Sequence, residues 1–331
     1  MSELRKDPIV DRWVIIAENR AERPNELVQP EPSGVAPEAC PFCEGNEEQT
    51  PGEVAALRPA GSKADAPGWR VRVVPNRYPA LEKSANQPAA SDGFYSSVPG
   101  VGVHEVIVEC ADHLVRTTDL SEEQLAEVLF TYRDRLLTAK LDRRLRSGMI
   151  FKNVGAAAGA SIEHSHSQLI ATPLVPTSLA EELSSAGQFY GSQGRCIFCE
   201  LIERERADAT RLVLDAKGFV AFCPYASRFP YETWILPRSH SSHYERLSRY
   251  DCDQLAWILR GAMAKIEAAA DRPAYNLVVH SAPFDADAHD LYHWHIEIIP
   301  RLTSTAGFEW GSGLYINPLA PERAAKRLRG C

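Results

Sequence analysis

Four of the eight cysteines stand in two C-x-x-C pairs, Cys40-Pro41-Phe42-Cys43 and Cys196-Ile197-Phe198-Cys199. Each pair is followed by histidines in the same order. His113 and then His164-Ser165-His166 follow the first; His240 and then His293-Trp294-His295 follow the second. Thiolate and imidazole are the usual ligands of tetrahedral Zn²⁺, and four protein ligands close the shell and make the ion structural. The expected sets are Cys40, Cys43, His113 and His164, and then Cys196, Cys199, His240 and His293, giving two zinc ions per chain. An incidental or redox C-x-x-C is the rival reading. A redox pair needs no matched downstream histidines, so the repetition favours metal. His243 competes with His240 for the second set but lacks the matched offset.

The H-x-H segments leave a histidine over. Residues two apart on a strand share a face, at about 6.6 Å, so His164, His166 and Gln168 line one side. With His164 on the metal, His166 is a free imidazole beside a rigid anchor, and a neutral imidazole is a nucleophile at pH 7. Just upstream lies Gly155-Ala156-Ala157-Ala158-Gly159-Ala160-Ser161. Small residues let backbone N–H groups approach a phosphate, and Ser161 adds a hydroxyl. The second half has no such loop, and Glu297 stands where the first has Gln168. An amide donates to a phosphate oxygen, whereas a carboxylate repels it. The first half is therefore expected to do the chemistry, with the second as a structural partner that completes the pocket.

The elements that must hold these residues also occur twice. Val73-Val74-Pro75-Asn76-Arg77-Tyr78-Pro79 matches Phe222-Cys223-Pro224-Tyr225-Ala226-Ser227-Arg228-Phe229-Pro230. A β-branched and aromatic run between Glu105 and His113 matches one between Glu232 and His240, and both read as strands. Ser121-Glu122-Glu123-Gln124 resembles a capping box, ahead of Leu125, Val128, Leu129, Tyr132 and Leu136 on one helical face. Leu255, Ile258, Leu259, Ala262, Met263 and Ile266 repeat that spacing. Strands carrying Asn153 and Asn276 follow. The fold class is α+β: two tandem domains, antiparallel sheets with packed helices, one zinc site each. The expected boundaries are 1–172 for the catalytic domain and 173–331 for the second, joined where Pro, Ser, Gly and Gln thicken between Pro173 and Gly194. Segments 44–68 and 80–100 read as surface excursions.

Composition narrows the function. The 331 residues carry a net charge of −8, which disfavours a nucleic-acid backbone as partner. No apolar run reaches the ~20 residues of a membrane span. The N-terminus has no apolar signal core, so a cytoplasmic protein without a membrane partner is expected.

Taken together, Arg5-Lys6-Asp7-Pro8, Arg12-Trp13-Val14, Cys40-Pro41-Phe42-Cys43, Gly159 to Gln168, Gly307-Phe308-Glu309 and Tyr315-Ile316-Asn317-Pro318 resemble the galactose-1-phosphate uridylyltransferase family of the histidine-triad superfamily. The resemblance implies a double displacement. The residue matching His166 attacks the α-phosphorus of a nucleoside diphosphate sugar. Sugar 1-phosphate leaves, and a second sugar 1-phosphate takes the nucleotide. It further implies that Gln168 and Ser161 contact the phosphoryl group, that Asn76, Arg77, Asn153 and Gly159 lie near the nucleotide, and that Arg20 and Arg23 reach the site from a neighbouring subunit of a homodimer. Two departures stand out: His-Ser-His in place of His-Pro-His, and Leu314-Tyr315-Ile316 where many members carry a hexose-contacting glutamine. Both occur in relatives resembling an ADP-glucose phosphorylase, which passes an adenylyl group to inorganic phosphate. A uridylyltransferase acting on UDP-glucose and a hexose 1-phosphate is the first expectation, and the phosphorylase the second. A nucleotide hydrolase ranks lower, because Gln168 cannot exchange protons. A non-enzymatic zinc module ranks lowest.

Overall fold

The structure is a computed structural model that describes residues 2–20, 37–84, 89–285 and 288–331. In chain order the first half holds β1 (Glu3–Lys6), β2 (Trp13–Ile16), β3 (Ala55–Leu57), β4 (Val71–Pro75), the short hairpin β5 (Ala90–Ser91) and β6 (Ser96–Ser97), β7 (Val103–Val108), α1 (Glu122–Lys140), β8 (Ser147–Val154) and β9 (His166–Thr172). The second half holds α2 (Thr177–Gln193), α3 (Ile197–Asp208), β10 (Leu212–Ala216), β11 (Phe219–Phe222), β12 (Thr233–Pro237), α4 (Arg249–Ala270), β13 (Tyr275–His280), β14 (His295–Pro300), α5 (Gly307–Ser312), β15 (Tyr315–Asn317) and α6 (Pro321–Gly330).

The mixed α+β fold is built on one ten-stranded antiparallel sheet, ordered β10-β11-β12-β14-β13-β8-β9-β7-β4-β3. Five strands come from each half. The halves meet where β8 pairs with β13, setting Asn153 opposite Asn276 and Phe151 opposite Val278. A small second sheet, β1-β2-β15, ties the N-terminus to the C-terminal segment. Residues 177–193, read from composition as a join, form the helix α2. Its Ser, Gly and Gln residues are weak helix formers rather than absolute breakers, and the buried Leu179, Glu182 and Ala186 dock it.

Because side chains alternate along strands, the sheet divides its labour between two faces. On one face Ile107, Ile150, Leu169, Leu277, Ile296 and Ile235 form a single core with Leu125, Leu129 and Leu136 of α1 and Leu255, Leu259 and Ile266 of α4. Helices α1 and α4 pack on each other across the join, so the core is continuous through both halves. Ser121 caps α1 by accepting from Gln124 N–H. The reciprocal half of the box is replaced, because the Gln124 amide donates to the Arg70 and Glu109 carbonyls. In α4 the box is complete, with Ser248 and Asp251 as partners. Among the described residues no helix is long and apolar enough to cross a membrane.

Candidate active site and metal centres

The other sheet face carries the chemistry. In β9, His166 lies opposite Val108 and Gln168 opposite Val106 of β7. The strand thus sets both side chains on the face turned away from α1 and α4.

The eight residues picked out by spacing come together as two clusters. The ligand atoms of Cys40, Cys43, His113 and His164 lie within 4.8 Å of one another, as do those of Cys196, Cys199, His240 and His293. In the first, Cys43 Sγ is 3.2 Å from His113 Nδ1 and 3.5 Å from His164 Nδ1. In the second, Cys199 Sγ is 3.2 Å from His240 Nδ1 and 3.7 Å from His293 Nδ1. Three of these rings donate Nε2–H to a backbone carbonyl: His164 to Cys110 at 2.9 Å, His293 to Pro237 at 2.8 Å and His240 to His289 at 2.5 Å. A carbonyl only accepts, so the proton is on Nε2 and the Nδ1 lone pair faces the thiols. That outer hydrogen bond is what orients a metal-binding imidazole. Burial pushes His164 down to about 4, keeping it in the neutral, ligating form. Both clusters have a donor set and an orientation that can hold a metal ion. His243 lies outside them, bonded to Ser242 and the Pro283 carbonyl.

His166 uses its other nitrogen. Its Nδ1–H donates to the His164 carbonyl at 2.8 Å, so Nε2 carries the lone pair. Burial holds the ring below the ordinary imidazole range, and the Lys152 cation adds to this. Beneath it, Ser165 donates to Glu109 at 2.7 Å and accepts from Lys152 at 2.6 Å. A proline at position 165 could make neither bond, so the departure from His-Pro-His is matched by a buried ion pair that holds the serine. Before the strand, the turn Ala156–Ala158 is flanked by Gly155 (φ +82°) and Gly159 (φ +84°). A Cβ on Gly155 would also meet the Ala274 Cβ at 2.8 Å.

His166, Gln168, Ser161, Asn76, Arg77 and Phe42 line a cavity of about 280 Å³. Every residue lining it belongs to the first half, so the expectation that the second half completes this pocket is not met among the described residues. The face of β14 with His295 and Glu297 has its own cavity, lined by Asp7, Arg12, Glu182, Arg228, His280 and Glu297. Asn153 does not line the first cavity. Its Oδ1 accepts from Asn276 Nδ2 at 2.8 Å, at the join between halves. Nor do Gly159 and Arg20 line it; Arg20 ends an exposed turn, Glu18–Arg20. Arg23 lies outside the described residues.

Three residues escape the sequence reading. His104 of β7 bonds Gln168. Glu182 and His280 group with His295, their ligand atoms within 4.8 Å. His104 is two residues before Val106 on the face of Gln168, so strand period alone could have nominated it. Glu182 and His280 come from α2 and β13 and have no counterpart in the repeated order.

The chain is similar to known proteins over its whole length. A family model described as galactose-1-phosphate uridyl transferase, N-terminal domain, matches residues 1–176. A second model, for a domain of unknown function, matches 102–329. An ADP-glucose phosphorylase from Arabidopsis thaliana is 34% identical over 99% of this chain and 92% of its own length. A galactose-1-phosphate uridylyltransferase from Thermotoga maritima is 29% identical over 99% of this chain and 98% of its own. Among solved structures, an Arabidopsis thaliana ADP-glucose phosphorylase with bound ADP-glucose superposes with a TM-score of 0.85 at 32% identity, covering 100% of this chain and 99% of that one. A uridylyltransferase superposes with a TM-score of 0.77 at 28% identity, covering 100% and 98%. With similarity running the length of the chain, this protein belongs to the galactose-1-phosphate uridyl transferase family.

Proposed function

We propose that this nucleotidyltransferase moves a nucleoside monophosphate from a nucleoside diphosphate sugar to a phosphate-bearing acceptor through His166. The observation that carries this reading is the orientation of His166, whose Nδ1–H is spent on the His164 carbonyl while the ring lines the cavity with Gln168, Ser161 and Arg77. Attack by Nε2 forms an N–P bond as the P–O bond to the sugar 1-phosphate breaks. The ring becomes cationic, and its Nδ1–H stays bonded to the carbonyl. The Gln168 amide and Ser161 hydroxyl donate to the phosphoryl oxygens, and Arg77 offsets their charge. An acceptor oxygen then displaces His166, giving ping-pong kinetics.

For the substrates, the proposal is adenylyl transfer from ADP-glucose to inorganic phosphate. Three points support it over the uridylyl reading: the higher identity to the ADP-glucose phosphorylase, the higher TM-score, and the serine at position 165. Uridylyl transfer between UDP-glucose and a hexose 1-phosphate is the second reading, supported by the number of uridylyltransferase relatives. Incubation with ADP-glucose and UDP-glucose separately, followed by intact-mass analysis, tests both. An adenylyl adduct is the expected result; a uridylyl adduct selects the second reading, and no adduct on either overturns the double displacement.

Two structural zinc ions, one per cluster, belong to the same proposal, since two thiolates and two imidazoles suit Zn²⁺. So does a division into units 1–172 and 173–331 that share one sheet. A homodimer in which Arg20 and Arg23 approach the partner's site completes it.

A further inference from the structure

Asn76 and Gln168, which line the cavity, belong to a hydrogen-bond chain whose proton positions are fixed from outside it. The Tyr78 N–H donates to Asn76 Oδ1 at 2.8 Å, so the Asn76 nitrogen points the other way. The Ala80 N–H donates to His104 Nδ1 at 3.0 Å. A neutral imidazole has one proton, so that of His104 is on Nε2. Two donors then converge on one atom. His104 Nε2 lies 2.8 Å and Asn76 Nδ2 3.3 Å from Gln168 Oε1. Asn76 Nδ2 also lies 3.0 Å from His104 Nε2, but that nitrogen is already a donor, so Asn76 gives its proton to Gln168.

The consequence lies at the far end of the amide. With both donors on Oε1, a flip of Gln168 would set its NH₂ against two N–H groups and lose both hydrogen bonds. Gln168 is therefore locked with Oε1 toward β7 and its NH₂ in the cavity that His166 lines. Loop 76–80 follows β4 and is tied to β7, because Asn76 N–H donates to the His104 carbonyl at 2.9 Å. The lock thus rests on paired backbone rather than on flexible side chains.

We propose that His104 is a positioning residue for nucleotidyl transfer: with Asn76 it clamps the Gln168 carbonyl so that the amide NH₂ points at the phosphoryl group carried by His166. The inference rests on the transfer reading above and adds a residue to it. His104 touches no reacting atom; it acts through Gln168. A preset donor stabilises charge that develops during transfer more than it tightens the ground state, so its loss lowers kcat and spares KM.

The test measures the rate of covalent nucleotidylation by ADP-glucose or UDP-glucose, whichever labels the protein, with KM and zinc content alongside. His104→Phe keeps the ring's bulk and removes the donor; His104→Gln restores an N–H near the ring Nε2. His104→Phe is expected to slow adduct formation about 10- to 100-fold, with KM changed less than about threefold. His104→Gln should recover most of the rate. In a Gln168→Ala background, His104→Phe should cost almost nothing more. Wild-type rates in His104→Phe overturn the proposal. So does an equal loss in the Gln168→Ala background, which would mark a merely structural role. Absence of any adduct on the wild-type protein overturns the transfer reading itself, a separate outcome.

Discussion

The two halves build the same strands and use them in opposite ways. His166 and Gln168 of β9 correspond to His295 and Glu297 of β14, and Arg77 to Arg228. In the first half the face is nearly neutral. Burial favours the neutral form of His166, Gln168 is an amide, and Arg77 is exposed with no carboxylate partner among the described residues. In the second half the face closes on itself. Arg228 bonds Glu297 at 2.6 Å and Glu232 at 2.9 Å, and His280 lies 3.3 Å from Glu182 and 3.6 Å from Glu297. Burial opposes the charge on His280, yet the Glu182 and Glu297 carboxylates push it up to about 10. Burial likewise opposes the Glu297 charge, but Arg228 and His280 hold its carboxyl well below the usual range. In this network two cations face three carboxylates, and Arg12 of the same cavity is paired with Asp7 at 2.7 Å, which leaves no surplus positive charge for a phosphate. The lesson is that a duplicated nucleophile does not make a duplicated site. The charge two residues away and the freedom of one arginine decide which copy can meet an anion.

The sharpest way to break this comparison is to remove each histidine. His166→Ala should reduce nucleotidyl transfer by at least about 10⁴-fold, since the covalent route is lost. His295→Ala should leave the transfer rate within about threefold while lowering the melting temperature, because a fully buried, stacked ring leaves a cavity. A covalent adduct on the His166→Ala protein would reverse the assignment of the active half.

The metal clusters separate the halves next. Cys40→Ser and Cys196→Ser should each lower the zinc content from about two ions to about one, as metal affinity depends on the full thiolate set. Only Cys40→Ser should abolish transfer, because His164 belongs to the cluster that can hold a metal and its carbonyl orients His166. Cys196→Ser should act through stability. Equal kinetic damage from both would mean that the second cluster also shapes the cavity.

Exchanging charges is a smaller perturbation. Gln168→Glu keeps an oxygen for the His104 and Asn76 donors but turns a carboxylate oxygen toward the phosphoryl group. Transfer should fall about 10²- to 10³-fold, the usual effect of losing one such donor. Glu297→Gln removes one carboxylate from a buried network and should destabilise the fold by about 3 kcal/mol, read by denaturant unfolding, with kcat unaffected.

How much of this could be read in the sequence follows from what repeats. The clustering of eight cysteines and histidines was legible because a metal site demands fixed residue types in a fixed order, and that order occurs twice. The helix faces of α1 and α4 were legible from period, since Leu125 to Leu136 and Leu255 to Ile266 keep the spacing of a buried stripe. The merging of the halves was not. The β8–β13 pairing is a contact between two strands that each look complete in their own repeat, and no local pattern marks an edge as shared. Helix α2 was hidden by composition, because tertiary docking of Leu179 and Ala186 outweighs weak propensity. Strand period could place His104 on the face of Gln168 but could not show the clamp, because the clamp depends on the Tyr78 and Ala80 backbone N–H groups, which no residue type reports.

The smallest effect separates the two equivalent helices. Ser121 caps α1 with one bond, to Gln124 N–H at 3.1 Å, since the Gln124 side chain is engaged with the Arg70 and Glu109 carbonyls. Ser248 caps α4 reciprocally: Asp251 N–H donates to its hydroxyl, and the Ser248 N–H donates to the Asp251 carboxylate at 2.9 Å. Replacing a capping serine with alanine costs about 1 kcal/mol. Ser248→Ala should cost more than Ser121→Ala, because it also removes the hydroxyl bond to the Asp251 carboxylate at 2.6 Å and leaves that acceptor to the backbone alone. Both helices pack into one core, so the shift of the same denaturant-unfolding transition compares the two losses directly. If Ser121→Ala proves the costlier change, the Gln124 bonds depend on the cap, and α1 is held by its N-terminal turn rather than by its buried face.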